Sequence, residues 1–193
     1  MARPCEFDVD SVLHEAMNLF WVQGYKATSL QALLDVMGIS KSSFYATFGS
    51  KHKLFLASIK VYAKCTTQTL IDRLDEPGSF IAAVDDIINT VVEDTLSHDG
   101  RRGCMLANSA IELSPHDSRV ERLIATEIKR VENAFFTAIG QAQQRGELGK
   151  SKDARALARF VVCNLNGLMV IGKATPERAT LLDIKNVVIS ALR

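Results

Sequence analysis

Residues 28–51, TSLQALLDVMGISKSSFYATFGSK, decide how the rest of the chain is read. Thr28 is suited to cap a helix, and Gln31 three residues later completes a capping box ahead of Leu30, Leu33, Leu34 and Met37. Gly38 follows, able to take the left-handed backbone with which helices end. Ser40 predicts a second cap and a short helix from Lys41 to about Thr47. Phe44 and Phe48 stand at i and i+4 and predict an inward face. Lys41, Ser42, Ser43, Tyr45 and Thr47 are small or polar and predict an outward one. Two short helices across a tight break form a helix-turn-helix, whose second helix can lie in a DNA major groove. Ser50 then caps the next helix and puts Lys51 in its first turn, where backbone N–H groups and a lysine suit a phosphate.

Upstream, Val12, Leu13, Ala16, Met17, Leu19 and Phe20 follow a helical period, with Asp8 or Asp10 to cap the helix and Gly24 to end it; Trp21 is expected to pack. Downstream, Leu54 to Leu74 predicts one long unbroken helix up to Asp75-Glu76-Pro77-Gly78. Further helices are expected over 79–96, 104–113, 117–145, 153–173 and 176–192, with Pro176 suited to a first helical position and 97–100 a loop. No strand alternation, repeat or low-complexity tract interrupts them. The fold class is therefore all-α with about nine helices. An N-terminal three-helix DNA-binding domain is expected over 1–53 and a regulatory and dimerisation domain over 54–193.

The resemblance that this layout carries is to the TetR/AcrR family of bacterial transcriptional regulators. It rests on Gly24-Tyr25-x-x-Thr28-Ser29-Leu30, Met37-Gly38-Ile39-Ser40, Phe44-Tyr45-x-x-Phe48, Lys51 and Leu54-Phe55. Arg3-Pro4-x-Glu6-Phe7-Asp8 and the Phe20-Trp21 pair look like one branch of that family. It covers about the first third of the chain; beyond it only the helical layout and Gly103-Cys104-Met105-Leu106 match. Thr47 stands where the family often has His or Tyr, so a contact there would come from a shorter hydroxyl. Cys5 lies in an arm that is usually more basic. The DNA-binding candidates are Thr28, Ser29, Lys41, Ser42, Ser43, Tyr45, Thr47 and Lys51. The resemblance implies double-stranded operator DNA as partner, an unknown small-molecule effector, and a homodimer. The last two helices, apolar on more than one face through Leu157, Phe160, Leu165, Leu168, Val170 and Ile171, would pair with their copies.

The totals agree without adding identity. A formal net charge of +1 over 193 residues implies no polyanion partner by itself. Residues 1–53 balance Arg3, Lys26, Lys41, Lys51 and Lys53 against Glu6, Asp8, Asp10, Glu15 and Asp35, so lysines at the contact surface and helix N-termini must carry the phosphates. Cys5, Cys65, Cys104 and Cys163 have no metal-ligand spacing, and reduced thiols in a cytoplasm are expected. Arg159, Asn164 and Asn166 interrupt the most apolar stretch, and no membrane partner is expected.

Cys104 follows Arg101-Arg102-Gly103 and opens a helix, an arrangement that favours thiolate; the competing expectation is a small buried packing residue. Cys65 and Cys163, on helical faces with apolar neighbours, are expected to pack. Asn89, Asn108, Glu112, Asn164 and Asn166 are polar residues within apolar helices, and Asn108, one turn after Cys104, is the first candidate to meet a ligand. Glu112, His116 and Asp117 are close in sequence but broken by Pro115. With no nucleophile–base spacing, phosphate loop or metal set, neither an enzyme nor a cofactor is expected. The expected function is a DNA-binding regulator, a repressor released by a small molecule or a thiol-reactive signal. The competing class is a helical small-molecule-binding dimer with an inactive DNA-binding head.

Overall fold

The computed structural model describes residues 7–97 and 102–193. Cys5 and the rest of the 1–6 arm, 98–100 of the expected loop, and Arg101 lie outside them. The helices run α1 (Val9–Gln23), α2 (Leu30–Met37), α3 (Lys41–Phe48), α4 (Lys51–Tyr62), α5 (Gln68–Asp75), α6 (Phe80–Leu96), α7 (Met105–Leu113), α8 (Ser118–Gln144), α9 (Ala154–Ala174) and α10 (Arg178–Leu192). Among the described residues there is no strand. A π-helical turn, Ala63–Thr67, joins α4 to α5, so the expected single rod is continuous but underwound in its middle.

The helix starts obey side-chain chemistry. Asp8 caps α1 by accepting from Asp10 N–H at 3.1 Å, and Gly24 ends it at φ 81°. For α2 the cap is Ser29, which accepts from Ala32 N–H at 3.0 Å, and not Thr28 as the sequence suggests. Thr28 is fully buried, and its hydroxyl donates to the Gly24 carbonyl at 2.6 Å, closing the α1–α2 turn. Gln31 donates to Asp35 and takes no part in a capping box. Gly38 ends α2 in the left-handed region at φ 62°. Glu177 stands at the N-cap of α10, so Pro176 precedes the helix instead of opening it.

Two apolar cores result. The first gathers Val12, Ala16, Phe20, Leu33, Phe44, Leu54, Phe55 and Ile59, and continues without a gap into Met105, Leu106, Leu113, Val120 and Ile124. The second is built by α5, α6, the latter half of α8, α9 and α10, around Val84, Ile88, Phe135, Ile139, Leu165 and Leu181. Packing thus does not break at 53/54: α4 completes the core of α1–α3, and α7 with the start of α8 closes it. Within α9, Val161, Val162, Leu165 and Leu168 turn into the protomer's own core, whereas Phe160, Val170 and Ile171 are exposed. This helix is long and apolar enough to cross a membrane by length and composition, but it is packed between α6, α8 and α10.

Candidate nucleic-acid interface and effector cavity

α3 is pinned from beneath and polar outside. Phe44 is fully buried, with the rings of Tyr45 and Phe48 at 5.3 and 5.9 Å. Lys41, Ser42, Tyr45 and Thr47 are exposed, and Ser43 is half-buried. The Ser40 hydroxyl accepts from Ser43 N–H at 3.1 Å and lies 2.9 Å from both the Ser42 and Ser43 hydroxyls, which fixes the first turn. Ser29 is exposed at the start of α2, and Ser50 caps α4 through Lys53 N–H at 3.1 Å. These hydroxyls and helix starts are donors of the kind that meet phosphate oxygens.

Two of the expected contacts are placed differently. Thr28 has no surface to offer a duplex and acts through the turn it closes. Lys51 is half-buried, with its Nζ 4.4 Å from the centre of the Tyr25 ring. Burial lowers its ammonium from the ordinary value, and the Glu112 carboxylate opposes that. Lys53, absent from the candidates, is exposed in the same first turn of α4. Its place after the Ser50 cap was the signal available for it.

Behind the head lie two neighbouring cavities that share Tyr62, Thr66 and Met169 in their walls. The larger, about 290 Å³, also meets Trp21, Asp94 and Arg102. The smaller, about 70 Å³, is nearly all apolar, with Leu70, Cys104, Leu106 and Val131. The π turn supplies Thr66 and Thr67 to this region. Trp21 packs as expected: its ring lies 4.9 Å from that of Tyr62, its Nε1–H donates to the Gly103 carbonyl at 2.7 Å, and the Arg102 guanidinium sits 4.7 Å over it.

Cys104 is buried at the N-cap of α7 and shares the wall of the smaller cavity with Tyr62. Burial, with Cys104 alongside, pushes the Tyr62 phenol well above its usual value. The Arg102 guanidinium is directed onto Trp21 and Asn18. Asn108 donates to the Arg102 carbonyl at 2.8 Å, so it holds the approach to α7. Asn164 and Asn166 donate to carbonyls in their own helix, Phe160 and Val162, and Asn89 bridges Asp85 and Lys185. Cys65 and Cys163, expected to be packed, are exposed. The sequence marks Glu112 as a polar residue in an apolar helix but not what it holds: it reaches from α7 to accept from the backbone N–H groups of Tyr25 and Lys26. An acid in an otherwise apolar helix was its only signal.

Residues 12–58 match the family described as bacterial regulatory proteins, tetR family, and residues 81–184 match the tetracyclin repressor-like C-terminal domain. An uncharacterized HTH-type transcriptional regulator of Bacillus subtilis, YezE, is 37% identical over 193 residues, 100% of each chain. The HTH-type transcriptional repressor ComR of Escherichia coli is 30% identical over 187 residues, 94% of this chain and 87% of its own. Among solved structures, a cysteine-substituted form of the TetR-family transcriptional regulator CifR, complexed with 26-bp double-strand operator DNA, superposes with a TM-score of 0.89 at 30% identity over 100% of each chain. By both halves of its length, and by the helix-turn-helix it presents, this chain belongs to the TetR family of bacterial transcriptional regulators.

Proposed function

We propose that the chain is a homodimeric repressor that binds operator DNA through α3 and is released by a small molecule seated between head and body. The observation that carries this reading is the outward face of α3, Lys41, Ser42, Tyr45 and Thr47, held rigid by buried Phe44 and the Ser40 cap. Ser29, Ser43 and Lys51 add contacts at the neighbouring helix starts, and Thr28 supports them from inside the turn. ComR carries the name repressor, and CifR was solved on operator DNA, which favours the same role here. No catalytic activity is part of the reading.

The dimer is supported by the outer face of α9. Ala156, Phe160, Cys163, Gly167, Val170 and Ala174 repeat at intervals of four and three residues, the spacing of a helix–helix seam. Phe160 and Val170, with Val187 on α10, leave apolar surface exposed on one protomer. Two-fold pairing there would set two recognition helices on successive major grooves. The cavities suit a small, largely apolar effector with one or two polar groups, because the smaller has mostly apolar walls and the larger adds Asp94 and Arg102 beside the Tyr62 and Thr66 that both share. A thiol-reactive signal would act at Cys104, which lines the smaller cavity.

A mobility-shift titration on DNA upstream of the chain's own gene, repeated over a range of salt, tests the reading. Tight binding to one segment with a steep salt dependence is expected. Equal, weak binding to every fragment would point instead to an inactive head.

A further inference from the structure

Both carboxylate oxygens of Glu112, near the C-terminal end of α7, are committed to the far half of the molecule. Oε2 accepts from Tyr25 N–H at 2.9 Å and Oε1 from Lys26 N–H at 2.6 Å. The seat is cut to the carboxylate. A Cβ added to Gly24 would lie 2.9 Å from Oε2, at a backbone φ of +81° that other residues rarely adopt. The gripped turn leads straight to Ser29, the cap of α2, and Thr28 ties it back to the Gly24 carbonyl. Hydrogen bonds to an ionised acceptor are about twice as strong as neutral ones, so two of them on adjacent amides form a stiff joint.

The other end of α7 stands at the cavities. Cys104 and Leu106 line the smaller one, and the preceding Gly103 carbonyl holds Trp21. A nine-residue helix, about 13 Å long, therefore connects the cavity wall to the turn that aims α2 and α3. We propose that Glu112 is a positioning residue for DNA binding, the grip through which the effector-binding body fixes the angle of the head; this rests on the DNA-binding reading above. A second tie, His52 Nε2 to Asp117 Oδ2 at 2.6 Å, joins α4 to the start of α8 without using Glu112.

The test compares the full-length wild type with E112A and E112Q on three duplexes. One carries the operator found upstream, one the same operator with a base pair inserted between half-sites, and one a single half-site. Binding to a half-site reads one head alone, α3 with the starts of α2 and α4, whereas binding to the full operator also reads the angle between heads. The expected result for E112A is a loss of about ten-fold or more on the operator, a smaller penalty for the inserted base pair, and half-site affinity within about two-fold of wild type. E112Q keeps one acceptor oxygen and is expected in between, and it serves if E112A does not fold. An E112A that keeps the full spacing penalty, or loses half-site affinity in parallel, overturns the inference alone. A wild type that binds none of the duplexes sinks the DNA-binding reading and this inference with it.

Discussion

Phe44 and Tyr45 are adjacent in sequence and divide the work of α3 between them, one ring fully buried and the next 48% exposed. Tyr45→Phe removes one hydroxyl and leaves the ring contact with Phe44 in place. Thermal stability is expected to stay unchanged while operator affinity falls by about 1–2 kcal/mol. A variant that unfolds earlier but binds DNA as before would make Tyr45 a packing residue. The outward face of α3 was legible because period and polarity agreed residue by residue. Thr28 was not: two adjacent hydroxyls both suit a cap, and only the φ and ψ of the turn decide that Ser29 takes it. What Glu112 and Lys51 touch was hidden for a different reason. Their partners lie 86 and 26 positions away along the chain, on Lys26 and Tyr25, and local pattern carries no record of such pairs.

The helices themselves were nearly all readable, since caps, glycines and apolar period coincide at most of their ends. The π turn was not, because Ala63–Thr67 keeps a helical pattern and its extra residue shows only in backbone hydrogen bonds. Nor was the cap that Glu147 brings to α6 from the α8–α9 connection. Its Oε1 accepts from the Ser79 hydroxyl at 2.5 Å and from Ile81 N–H at 2.9 Å, and its Oε2 from Phe80 N–H at 3.0 Å. Burial pushes this carboxyl up, but the hydrogen bonds from Ser79, Ile81 and Phe80 and the nearby Arg145 outweigh it and hold the group at about 2 against an ordinary 4.5. A depressed carboxylate stabilises the fold above its unfolded value, and that contribution fades as pH falls from about 4.5 toward about 2. Glu147→Gln should cost about 1–2 kcal/mol in urea unfolding at neutral pH. The gap from wild type should narrow at a pH of about 3. A gap that is constant with pH would remove the charge from the explanation.

At the scale of the whole molecule, all-helical content was legible, but the allocation of apolar faces was not. Leu168 and Val170 lie two positions apart in an almost uniformly apolar helix, yet one is 1% and the other 48% exposed. Val170→Glu is expected to give a folded monomer by light scattering, because it places a charge on the proposed seam. Leu168→Ala should leave the dimer intact and cost about 2–4 kcal/mol of stability through the cavity it opens. Folded dimers from Val170→Glu would move the seam to another face. The continuous core that α1–α4 share with α7 and the start of α8 has a consequence for engineering and for descent alike. The first 62 residues do not own their interior, since Met105, Leu113, Val120 and Ile124 fill part of it. A regulator assembled by splicing this reading head onto a foreign sensor would inherit a gap in its hydrophobic interior unless the segment from 104 to 124 travelled with it. The transplantable unit is therefore discontinuous, two stretches of chain separated by a helix pair that belongs to the other core.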